Sequence, residues 1–127
     1  MKISYFIQLS LFVFIMCLGQ ILFKKTATLL SASNKVYSNN LLNTLLNAIQ
    51  IPYFFLALAV YAVATFYWLY ILQKIPLSLA YPFTALAMVI IPIASHYLFK
   101  EAVTNYYWIG SFLICLGIMI ISFKGVN

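Results

Sequence analysis

Apolar and polar positions in this chain fall into long blocks and do not alternate residue by residue. Four blocks stand out, at residues 4–23, 52–72, 76–99 and 106–123. Each closes on charge or amide: Phe23 before Lys24-Lys25, Leu72 before Gln73-Lys74, Phe99 before Lys100-Glu101, Phe123 before Lys124-Gly125. A helix needs about 20 residues to cross roughly 30 Å of hydrocarbon, so the pattern predicts four membrane crossings. Barrel strands alternate apolar and polar residues over about ten positions, and these blocks do not. In lipid, only helices satisfy their own backbone groups over such lengths. Pro52 stands at a first-turn position that tolerates proline, and Thr104 or Asn105 is placed to cap the fourth helix. The expected fold is an all-α integral membrane protein, with residues 1–127 forming one four-helix transmembrane domain.

The only long connection runs from Lys24 to Ile51. Its middle, Ser31 to Asn40, is polar and expected to be irregular. Beyond it Leu41, Leu42, Leu45, Leu46 and Ile49 share one helical face, while Asn40, Asn43, Asn47 and Gln50 share the other. Two readings stay open: an amphipathic helix lying along the membrane surface, or an extension of the second crossing broken at Pro52. The remaining connections are a few residues long, which makes crossings two, three and four antiparallel neighbours. The first block is read as a retained crossing and not a cleaved leader. Its apolar stretch exceeds the usual 7–15 residues, and the small residues Ser31-Ala32-Ser33 lie far past its end.

Composition sharpens this picture. Apolar and aromatic residues make up 66% of the chain and charged ones 6%, too few for the charged shell of a soluble domain. Seven lysines face one acid, Glu101, with no arginine. The lysines stand singly or in one pair between apolar runs and form no basic stripe, so nucleic acid is not an expected partner. Lysines flanking crossings belong among anionic lipid headgroups. An even number of crossings puts Lys2, Lys74 and Lys124 on one side and Lys24, Lys25, Lys35 and Lys100 on the other. That split gives almost no orientation bias, and insertion both ways, which permits an antiparallel pair, is a hypothesis.

Enzyme chemistry finds little to build on. Cys17 and Cys115 lie mid-span in different helices, where cysteine is usually a small packing residue. His96 is the only histidine, at the end of the third crossing, and no metal-ligand spacing exists. No catalytic residue, metal or cofactor is expected.

The informative residues are the polar and shape-breaking ones inside the crossings. Gln20 in the first helix needs a partner or a cavity, and Lys24 follows on the same face. Together they offer an amide and an ammonium to an anionic headgroup such as phosphate; the plainer reading is that Lys24 only snorkels at the boundary. Tyr61 and Tyr81 carry phenols that need partners if dry. Tyr67, Trp68, Tyr70, Tyr97, Tyr106, Tyr107 and Trp108 read as the ordinary interfacial belt. Pro82 and Pro92 interrupt the ladder of the third helix and mark it as the hinge or cavity-shaping element. Gly110 and Gly117, seven apart on the fourth helix, let another helix approach closely, either as an oligomer contact or within the chain.

Three stretches carry a resemblance: Cys17 through Lys24, Ile75 through Pro82, and Gly110 through Ile118. With them the chain resembles the four-helix small multidrug resistance branch of the drug/metabolite transporter superfamily, over nearly its whole length except residues 31–50. The Gly-Gln and Phe-Lys of the first stretch, and the Ala-Tyr-Pro of the second, look most like the flippase subunits that move aminoarabinose-phosphoundecaprenol across the bacterial inner membrane. The resemblance implies a dimer and a cavity that includes Tyr61 and Tyr81. It also carries departures. The membrane-embedded glutamate of multidrug members falls on Met16, the cavity tryptophan on Thr84, and the glycine hinge on Leu86-Ala87-Met88. A proton-coupled exporter of cationic drugs therefore loses its central group.

The expectation is a flippase, or flippase subunit, for an anionic polyprenyl-phosphate-linked sugar or related lipid carrier. It would be bound by Gln20, Lys24, Tyr61, Tyr81 and Thr84, with membrane lipids and a second similar four-helix subunit, identical or not, as partners. The alternatives are a small multidrug or polyamine exporter that borrows an acid from its partner, and a non-transporting assembly subunit of a membrane glycosyltransferase complex.

Overall fold

A computed structural model describes residues 3–34 and 40–124. It comprises α1 (Ile3–Asn34), α2 (Leu41–Ile49), α3 (Pro52–Leu72), α4 (Leu77–Phe83), a 3-10 turn at Thr84–Leu86, α5 (Ala87–Phe99) and α6 (Asn105–Lys124). Among the described residues, four helical segments are long and apolar enough to cross a membrane: Ile3–Ala32, Pro52–Leu72, Leu77–Phe99 and Asn105–Phe123. Among the described residues every regular element is a helix, and the chain is a multi-pass membrane protein.

The first helix does not stop where its apolar block stops. It continues through Lys24 and Lys25 to Asn34. Lysine is a good helix former, and the Thr26 and Thr28 hydroxyls donate back to the Leu22 and Lys24 carbonyls. A change in polarity marks the end of lipid, not the end of a helix. Of the stretch expected to be irregular, residues 31–34 are helical, Asn40 is extended at the start of α2, and 35–39 lie outside the described residues. So do Lys2, Lys35 and Gly125.

Between α2 and α3 the backbone breaks. Gln50 closes α2, and Ile51 is extended at φ −91°, ψ 121°, as the residue before a proline is driven to be. The Leu41–Ile49 segment is therefore a helix of its own. Leu41, Leu42, Leu45, Leu46 and Ile49 all face outward.

The bundle is organised around α1. Phe12 stacks on Trp68 with ring centres 4.6 Å apart, and Phe23 stacks on Tyr61 at 5.0 Å. These pairs set α3 antiparallel to α1. On another side Phe6 meets Phe83 edge-on at 5.8 Å, and Val13 and Cys17 pack with Ala87, so α4 and α5 climb parallel to α1. The core joins Leu9, Phe12, Ala64, Ile71, Leu79 and Phe83, with Ile118 supplied by α6. Most other large apolar side chains point outward, as lipid permits.

The third crossing contains both prolines and treats them differently. After Pro82 the helix tightens into the 3-10 turn, where the Thr84 hydroxyl donates to the Tyr81 carbonyl at 2.6 Å. Through Pro92 it continues as regular α-helix and ends at Lys100, whose left-handed backbone (φ 55°) turns the chain toward α6. Asn105 is the first residue of α6, which leaves Thr104 at the cap position.

Candidate functional site

The chain's one acid meets one of its lysines. Lys24 Nζ lies 2.9 Å from Glu101 Oε1, with both side chains about half exposed. This pair ties α1 to the α5–α6 connection. Glu101 is itself held by its backbone: its N–H donates to the Ser95 carbonyl at 3.4 Å, and its carbonyl accepts from His96 Nδ1 at 2.8 Å. The imidazole read from sequence as unassigned thus fastens the loop that presents the carboxylate. Beside it opens a cavity of about 310 Å³, whose walls include Pro92, Ser95, Glu101, Thr104 and Tyr107.

Gln20 sits one turn before Lys24 on α1 and is exposed, so within the chain its amide faces outward. Tyr61 lies on the α1–α3 seam at the level of Gly19. A Cβ built on Gly19 would stand 2.6 Å from Tyr61 Cε2, so the absent side chain is what admits the ring. Phe23 covers the ring by stacking. The Tyr61 hydroxyl is buried and has no hydrogen-bond partner, an uncommon state for a buried polar group and one that calls for an explanation.

Tyr81 and Thr84 lie elsewhere. Phe83 is level with Phe6, and Ala87 with Val13 and Cys17. Tyr81 is therefore separated from the level of Gln20 by about 20 Å at 1.5 Å per residue. Tyr81 is 65% exposed, so it too faces outward. The five residues expected to bind substrate fall into two groups: Gln20, Lys24 and Tyr61 in one half of the bundle, Tyr81 and Thr84 in the other.

Sequence reasoning paired Gln20 with Lys24 by spacing but passed over Glu101 as Lys24's partner. A lone acid among seven lysines was the available signal. Gly19 went unread as the seat for Tyr61. Tyr107, taken for an interfacial aromatic, instead donates its hydroxyl to the Met88 carbonyl. At Gly110 and Gly117 a built Cβ would meet nothing within 4 Å, so neither glycine makes a close approach inside the chain.

A model of the EamA-like transporter family matches residues 4–123. Among curated proteins, the chain is similar to the probable 4-amino-4-deoxy-L-arabinose-phosphoundecaprenol flippase subunit ArnE of Hamiltonella defensa. That match is 39% identical over 54 residues, 42% of this chain and 49% of the relative. The proteins of the same name from Serratia proteamaculans (46% over 55 residues, 43% and 48% of the two chains) and Pseudomonas fluorescens (36% over 70 residues, 55% and 61%) are similar as well. The chain thus spans about half the length of the first two relatives and somewhat more of the third. No solved structure matches.

Proposed function

The chain belongs to the EamA-like transporter family, and on that premise we propose that it moves a polyprenyl-phosphate-linked sugar, or a related anionic lipid carrier, between the leaflets of the bacterial inner membrane. The observation that carries this reading is the charge pattern. No carboxylate lies within any of the four crossings, and the sole acid sits in the α5–α6 connection, already paired to Lys24. A cation has no buried partner to bind, whereas an anionic headgroup meets an ammonium and, one turn away, an outward-facing amide.

The polyprenyl tail stays in lipid while the phosphate-sugar head passes the bundle. Lys24 and Gln20 receive the phosphate, and the unpartnered Tyr61 hydroxyl waits for a hydrogen-bonding group. Tyr81 and Thr84 meet the head at the other depth. The 3-10 turn after Pro82 is the flexible element, with Pro92 a second hinge. With no carboxylate inside a crossing to carry protons, transfer runs down the carrier's gradient. The active unit is a dimer, with an identical or a similar four-helix subunit, formed through the open face of α6 at Gly110 and Gly117. An inverted pairing brings the two groups of polar residues to one depth. The outward leucines of α2 lie in the membrane surface. The similarity to named flippase subunits supports the same assignment, and no enzymatic step is proposed.

The test is reconstitution of the purified protein in vesicles with leaflet-resolved detection of a polyprenyl-phosphate-linked sugar. Transfer faster than in protein-free vesicles is expected. Transfer equal to theirs, with expressing cells becoming resistant to quaternary ammonium dyes, points to a drug exporter and overturns the proposal.

A further inference from the structure

We propose that Tyr107 is a positioning residue: its hydroxyl supplies the hydrogen bond that Pro92 removes from the third crossing, and so holds α5 in the shape that walls the cavity beside Lys24 and Glu101. Pro92 lies inside α5 and has no N–H, so the carbonyl four residues earlier, on Met88, loses its regular donor. In hydrocarbon an unsatisfied carbonyl is unfavourable, because no water replaces the missing partner. Neighbouring hydroxyls on the same helix often make the repair, but Val89, Ile90 and Ile91 carry none. The donor comes from the next helix, Tyr107 on α6, whose hydroxyl reaches the Met88 carbonyl. The helix accordingly runs through Pro92 without a break.

The contrast with Pro82 gives this bond its meaning. At Pro82 the chain relaxes into a 3-10 turn and uses its own Thr84. At Pro92 it remains α-helical, with another helix clasping it. The two prolines are therefore not equivalent hinges: bending at Pro92 requires Tyr107 to let go, and bending after Pro82 does not. Pro92 and Tyr107 both face the cavity shared with Ser95 and Glu101. Release of the clasp consequently reshapes the wall next to the Lys24–Glu101 pair. This last step rests on the lipid-carrier reading; the clasp itself does not.

A double-mutant cycle in the full chain decides it. Tyr107→Phe alone strips the carbonyl of its donor, and the unfolding constant should rise roughly tenfold. Pro92→Ala restores a backbone N–H, so in that background Tyr107→Phe should change the constant less than about twofold. Equal losses in both backgrounds, or no loss in either, overturn the clasp. Should Pro92→Ala fail to insert, infrared spectra of protein labelled with carbonyl-¹³C methionine give the answer. Tyr107→Phe should move one methionine carbonyl band to higher frequency, and an unmoved band overturns the proposal. In vesicles, Tyr107→Phe should raise KM for the polyprenyl-phosphate-linked sugar several-fold, and Pro92→Ala should reverse that rise. An unchanged KM overturns the positioning role. Absence of transfer by the unaltered chain overturns the lipid-carrier reading and the positioning role built on it, while the cycle still decides the clasp.

Discussion

The seam between α1 and α3 and the outer face of α6 are both built with glycine, yet they are opposite kinds of surface. On the seam, Gly19 admits the Tyr61 ring, Ala57 and Ala64 are buried, and two aromatic stacks fill the remaining space. On α6 the positions a Cβ would occupy at Gly110 and Gly117 meet nothing. Only 11% of the apolar window of that helix is buried, against 28% for α1. Lipid supplies no hydrophobic drive between helices, so close packing has to be built from shape. Small residues with neighbours record a contact made within the chain; small residues without them leave room for a second chain.

The comparison breaks most easily at Gly19. Gly19→Val should destabilise the fold by about 2–3 kcal/mol through overpacking, because Phe23 blocks the ring's retreat. Reversible unfolding in detergent measures this, and an unchanged midpoint would mean the seam is looser than the contacts indicate. Lys24→Met comes next. A half-exposed ion pair is worth about 0–1 kcal/mol, so stability should barely fall while transfer of the polyprenyl-phosphate sugar drops sharply in vesicles. Normal transfer would remove Lys24 from the path. Gly110→Leu and Gly117→Leu should leave the isolated chain within about 0.5 kcal/mol of the parent. Their effect belongs in cross-linking yield, which should fall if α6 meets another subunit. The smallest effect is expected for Tyr61→Phe. Its buried hydroxyl bonds to nothing, so removing it should be neutral or slightly stabilising, while transfer falls. A clear loss of stability would reveal a partner for that hydroxyl.

The crossings were legible in the sequence because lipid imposes a local rule: about twenty apolar residues in a row suffice, whatever surrounds them. The end of α1 was not legible, since Lys24 and Lys25 signal water and say nothing about helix propensity. Gln20 and Lys24 could be read together because one turn of helix joins them. Lys24 and Glu101 could not, since their meeting depends on how α5 and the loop after it run alongside α1. Tyr107 was misread for a similar reason: a tyrosine near a span end fits the interfacial belt by default. Only the missing N–H of Pro92, counted back to Met88, shows that the carbonyl there needs a donor. The separation of Tyr81 from Gln20 was legible but passed over: alternating crossings make the first and third run the same way, so a residue late in one and a residue early in the other lie at opposite depths.

The length of α1 has a mechanical side. Thirty-two helical residues make a rod of about 48 Å at 1.5 Å per residue, against a hydrocarbon slab of roughly 30 Å. The rod must lean steeply or stand clear of the slab at one face. If it behaves as a stiff lever, a lean of 10° sweeps its far tip by about 8 Å over that length. Rocking that is slight among the buried side chains is thereby magnified near Thr28, where a nitroxide label would register it.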